Sequence, residues 1–112
     1  MTLLSFETTV TGSTTVVALS GELDVGGSTL LEQELERVAA DHEPATLVLD
    51  LSRLEFMDST GLRLVVLADG RARAQERRFA LVRGVPDVQR VFAITRMEER
   101  LEWLDEPGEA AV

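Results

Sequence analysis

A chain of 112 residues, 45% of them hydrophobic and 28% charged, has the size and balance of one globular domain. It contains no Cys and no Lys, which excludes thiol chemistry, a disulfide framework, a Schiff-base lysine and a phosphate loop ending in Gly-Lys-Ser/Thr. A net charge of −9 argues against nucleic acid or an anionic membrane as the direct partner.

The charge is segregated. Residues 1–60 hold 11 acidic side chains and 2 Arg, whereas residues 61–112 hold 9 of each. Such an acidic half either serves solubility or meets a partner with a basic docking face. The first residues lack a basic region followed by a long apolar stretch, and the longest apolar run, Leu64 to Ala68, is far too short for a membrane span. A cytoplasmic protein of bacterial style, without a membrane partner, is the expectation.

In chain order, Leu4 to Val10 alternates with a period of two, Thr11-Gly12-Ser13 has turn chemistry, and Thr14 to Ser20 is a second β-branched run, which together predict a hairpin. Glu22-Leu23-Asp24-Val25, between Gly21 and Gly26-Gly27, is expected at a strand end entering a loop. Thr29-Leu30-Leu31-Glu32 fits a capping box, opening a helix through Leu31, Leu35 and Val38 that ends before Pro44. Thr46 to Leu51 reads as a strand buried on both faces, and Ser52 to Met57 as a connector whose Leu54, Phe56 and Met57 pack inward. A second, strongly apolar helix is predicted from about Ser59 to Gln75. Phe79 to Val82 is a further strand, Pro86 starts a third helix, Leu101 to Leu104 is a last short strand, and Asp105 to Val112 is a polar tail expected to fray.

Strands alternating with helices after an opening hairpin make a mixed α/β sheet packed against helices. One domain is expected over residues 1–112, with its core at about 4–104.

The chemistry-bearing segment is Phe56-Met57-Asp58-Ser59-Thr60-Gly61-Leu62. It sets two hydroxyls, Ser59 and Thr60, at the mouth of a helix that follows a buried strand. Free N–H groups and positive potential there would favour an attached phosphate, and Gly61 would let a partner's backbone approach. The plainer reading is that Asp58 or Ser59 only caps the helix.

This segment resembles the signature of the STAS domain of bacterial anti-sigma factor antagonists, and Gly21-Glu22-Leu23-Asp24 is similar to that family's Gly-Glu-[Leu/Ile]-Asp segment. The resemblance implies that Ser59 is the phosphoacceptor, with Thr60 as the alternative. It also implies that Glu22, Asp24, Asp58, Ser59, Thr60 and Gly61 form the partner-binding turn. The unmodified chain would then bind an anti-sigma factor serine/threonine kinase and free a sigma factor; phosphorylation of Ser59 would release it, and a phosphatase would reset it. ATP and magnesium belong to the kinase, so the chain itself needs no cofactor or metal, is not an enzyme, and would be a monomer or weak dimer. The chain departs from the family at Gln75-Glu76-Arg77-Arg78, where a Gly-rich turn is usual, at Ala93 to Met97, and in a last helix shortened to Glu109-Ala110-Ala111-Val112 or lost.

Two rival readings stand beside it. A non-switching STAS scaffold, as a subunit of a lipid-transport ATPase or a stress-signalling complex, would carry much the same sequence. A hydrolase would use Ser59 as nucleophile and His42, the single histidine, as base, although the Gly-x-Ser-x-Gly elbow is missing.

Overall fold

The computed structural model describes residues 2–111. Its elements are β1 (Ser5–Thr11), β2 (Thr14–Leu23), α1 (Val25–His42), β3 (Thr46–Met57), α2 (Ser59–Ala74), β4 (Arg78–Val82), α3 (Pro86–Ile94) and β5 (Glu102–Leu104), with 3-10 turns at Met97–Arg100 and Pro107–Ala111. The five strands form one sheet in the order β1-β2-β3-β4-β5. β1 runs antiparallel to β2, and each later neighbour is parallel.

This topology follows from chain connectivity. The two-residue turn after Thr11 can only return an antiparallel strand, whereas α1, α2 and α3 each carry the chain across to a parallel neighbour. All three crossovers step in the same direction along the sheet, and their common right-handed preference sends the three helices to one face. There Val17, Leu19, Leu49, Leu51 and Leu81 of the strands meet Leu31, Val65, Val88 and Phe92 of the helices in the main core. The opposite face carries a smaller cluster of Val48, Ala80, Val82 and Leu104. Alternate residues of β3 thus enter different cores, which is why Leu47, Val48 and Leu49 run together as an apolar stretch.

Four expectations are corrected. α1 begins at Val25, four residues before the Thr29 capping box, because Asp24 already caps it by accepting from the Gly27 N–H at 3.0 Å. Thr29 is therefore exposed inside the helix, and Glu32 reaches Arg71 of α2 at 3.6 Å. Residues Ser52 to Met57 continue β3, paired along β2 as far as Leu23 and Met57. Within that extension Leu54 and Met57 point inward, but Phe56 is 46% exposed. The tail does not fray: Pro107–Ala111 forms a 3-10 turn that buries Ala110 against the smaller core. Val112 lies outside the described residues.

Where glycine is missing from the turn after α2, Glu76 itself adopts the left-handed conformation at φ 58°, and Arg96 does the same at φ 61° after α3. Each costs about 1–2 kcal/mol that a glycine would avoid. At the far edge Arg78 pairs with Glu102, tying β4 to β5. Trp103 of β5 meets Phe92 edge to face at 4.9 Å. No helix among the described residues is long and apolar enough to cross a membrane.

Glu34 ties α1 to the edge strand β1. It accepts from the Thr8 hydroxyl at 2.5 Å and from Arg37 Nε at 2.8 Å. The Arg37 guanidinium is the main reason its carboxyl is lowered to about 2, against the opposing effect of its own burial and with help from Thr8. A depressed carboxyl contributes stability above its unfolded pKa, and that contribution is lost as the pH falls from about 4.5 toward 2. Because Arg37 is half exposed, Glu34→Gln should cost only about 1–2 kcal/mol at pH 7. Urea titrations followed by Trp103 fluorescence should show the gap between wild type and variant closing as the pH is lowered through that window.

Candidate functional site

The C-terminal ends of β2 and β3 lie side by side, with Leu23 in register with Met57. The Asp58 N–H donates to the Leu23 carbonyl at 3.3 Å, so the chain leaves both strands at the same level. The next residue in each case is an aspartate in extended conformation that caps the following helix. Asp24 and Asp58 are thereby neighbours, although 34 positions separate them in the sequence.

Asp58 Oδ1 accepts from Thr60 N–H at 2.9 Å and from Gly61 N–H at 3.2 Å, taking up two of the donors that a helix start leaves unpaired. Of the two readings of this turn, Asp58 is thus the cap and Ser59 is not. Ser59 occupies the first helical position, is exposed, and makes no side-chain hydrogen bond among the described residues. Thr60 is half-buried beside it. Phosphorylation chemistry needs an accessible hydroxyl on a fixed backbone, and Ser59 meets both requirements.

Two of the six candidate residues face their own chain. Gly61 is buried, and a Cβ there would lie 2.7 Å from Met57 Cγ and 2.8 Å from Leu23 Cγ. Its missing side chain lets α2 settle onto the ends of β2 and β3 and is not turned toward an incoming backbone. Glu22 accepts from the Thr2 N–H at 2.8 Å, and its own N–H donates to the Thr2 carbonyl at 3.1 Å. Gly21, at φ 88°, admits this segment, since a Cβ would stand 2.3 Å from the Leu3 carbonyl oxygen. Glu22 therefore holds residues 2–3 against β2.

Two apolar residues that sequence reasoning did not assign to the site flank it. Val25 is 66% exposed at the first position of α1, and Phe56 is 46% exposed opposite Glu22 on β3. Simple alternation could not have found Phe56: Leu54, two residues before it, is buried, and only the extra residue that β3 inserts between them turns Phe56 outward. His42 sits at the opposite end of α1 from Asp24, roughly 27 Å along the axis. It is not assembled with Ser59, so the nucleophile–base pair is absent. No cluster of metal-ligating side chains occurs among the described residues.

An acidic, serine-bearing turn at the joined ends of two parallel strands, on a five-stranded sheet with three helices, is the architecture of a STAS domain. The family model described as "Mlab, STAS domain" matches residues 6–104, and the chain belongs to this family. It is 40% identical over 50 residues to the anti-sigma-F factor antagonist RsfB of Mycobacterium tuberculosis, a match spanning 45% of this chain and 40% of that protein. A STAS-domain containing protein of Pseudomonas aeruginosa is 26% identical over 88 residues, 79% of this chain and 85% of the other. Among solved structures, an anti-sigma factor antagonist from Mycobacterium paratuberculosis superposes with a TM-score of 0.87 at 28% identity, covering 96% of this chain and 91% of that one. Unphosphorylated SpoIIAA does so at 0.73 and 27%, covering 96% and 94%. Phosphorylated SpoIIAA of Bacillus gives 0.74 and 26%, covering 96% of each chain.

The geometry predicts how the turn responds to mutation. Gly61→Ala should destabilise the protein by about 1–3 kcal/mol, through overpacking against Met57 and Leu23. Asp58→Ala should cost about 0.5–2 kcal/mol, through the two uncapped N–H groups. Thermal unfolding measures both. A neutral Gly61→Ala would mean that α2 does not rest on Leu23 and Met57 as described.

Proposed function

We propose that this protein is an anti-sigma factor antagonist whose unmodified form binds an anti-sigma factor serine kinase, and that phosphorylation of Ser59 switches the binding off. The observation that carries the reading is an exposed, unbonded Ser59 hydroxyl held on a rigidly capped turn beside Asp24. Membership of the STAS family supports it, as does likeness to antagonists by both sequence and structure. This chain resembles SpoIIAA about equally in its unphosphorylated and phosphorylated forms, which supports a switch that leaves the fold in place.

In the proposed reaction the Ser59 hydroxyl oxygen attacks the γ-phosphorus of ATP held by the kinase. The hydroxyl proton passes to a base on the kinase, the bond to the β–γ bridging oxygen breaks, and ADP leaves. ATP and its metal ion stay with the kinase, and a phosphatase returns Ser59 to its hydroxyl form. This chain contributes position: Asp58 fixes the turn, and Val25 and Phe56 offer apolar contact on either side of it. The product gains a charge of about −1.5 to −2 beside Asp24 and Asp58, so an interface packed there loses contact and meets repulsion.

Ser59→Ala should retain full affinity for the cognate kinase, and Ser59→Asp should bind at least about tenfold more weakly, a difference of roughly 1.4 kcal/mol, by calorimetric titration. Equal affinities would overturn the switch, and phosphopeptide mapping of label to Thr60 alone would overturn the site. Stable association with a partner that never transfers phosphate would identify the protein as a scaffold instead.

A further inference from the structure

Ser59 begins α2, and the charges gathered around it are Asp58 before it, Asp24 at the end of β2, Glu22 and Glu55 on the neighbouring strands, and Arg63. Arg53 lies five residues back along β3 from Asp58, roughly 17 Å away. Arg63 is therefore the one basic residue in the first two turns of α2, set in acidic surroundings. It is exposed and has no ion pair or hydrogen bond among the described residues, whereas six of the chain's other ten arginines are paired with carboxylates.

A phosphate on Ser59 needs a counter-charge. The usual receptor at such a position is the set of free N–H groups at the helix start. Here Asp58 already occupies the Thr60 and Gly61 N–H groups, and giving them up would uncap α2. Residues four apart on a helix stack on one face, and an anion N-terminal to its cation is the favourable order. Ser59 and Arg63 have that spacing and that order. A guanidinium also matches phosphate oxygens in a two-point contact that an ammonium cannot reproduce.

Resting on the assignment of Ser59 as acceptor, we infer that Arg63 is the intramolecular receptor of the phosphate. It draws the phosphate along the surface of α2, away from Asp58 and Asp24, so the cap survives modification. Phosphorylation then changes the docking surface twice over: an anion appears, and the local cation that a partner's carboxylate would engage is taken up. Arg63 is a positioning residue of the switch; the phosphoryl transfer itself does not require it.

The test uses the full chain with phosphoserine genetically encoded at position 59, so the result does not depend on any kinase. In phosphorus NMR titrations the second phosphate pKa, ordinarily about 6, should rise by about 0.3 units in Arg63→Gln relative to wild type, the size expected of such a pair. Arg63→Lys should fall between the two, and Arg53→Gln should match wild type. The Arg63 Nε–Hε resonance should move when wild type carries the phosphate. Identical titrations for wild type and Arg63→Gln, or an equal shift from Arg53→Gln, would overturn the inference. Failure of the kinase to label Ser59, with these NMR shifts intact, would overturn the functional assignment alone.

Discussion

One register, Leu23 beside Met57, governs this molecule's working end. Two parallel strands that stop at the same level deliver two chain exits together, and the Asp58 N–H to Leu23 carbonyl bond fastens one to the other. A shift of one residue in β3 would turn Met57 outward and Phe56 inward, and would carry Asp58 away from its place beside Asp24. β3 spends one residue more than β2 between Asp50 and Arg53 and again between Leu54 and Phe56, and these two bulges set the register in which Leu23 meets Met57.

The same aspartate that completes the helix also decides what the turn can do. By accepting from Thr60 and Gly61, Asp58 leaves the Ser59 oxygen outside the hydrogen-bonding scheme of the helix start. A side chain that is not needed for structure is open to modification without unfolding. Stability and accessibility are divided between consecutive residues: Asp58 is half-buried, Ser59 exposed, Thr60 half-buried and Gly61 buried. The surface around this turn is correspondingly mixed, with Asp24 and Asp58 beside the exposed apolar Val25 and Phe56.

Much of this was legible in the sequence, and the misses share a cause. The long strand–helix alternation predicted each α-helix and strand but not the extension of β3, where two bulges space buried Leu51, Leu54 and Met57 three residues apart and break the period of two that marks a strand. Thr29 and Glu32 have the spacing of a capping box, yet Asp24 caps the helix five residues earlier, where β2 ends. Glu22 and Gly61 read as parts of a docking turn; their contacts with Thr2 and with Leu23 respectively join residues distant in sequence and could not be read from it. The polar tail resembled a frayed end until the smaller core offered Ala110 somewhere to pack.

The sequence by itself determined the element order, the double-sided burial of Thr46 to Leu51, the likeness to STAS antagonists and the presence of a hydroxyl at the mouth of α2. These are local or patterned properties, written in spacing and residue type. Tertiary structure alone decided which of the motif residues face solvent, that His42 and Ser59 stand at opposite ends of the helical layer, and that the Asp24 and Asp58 turns meet. Those outcomes depend on strand register and crossover hand, which join positions 34 residues apart and leave no trace in either segment read alone.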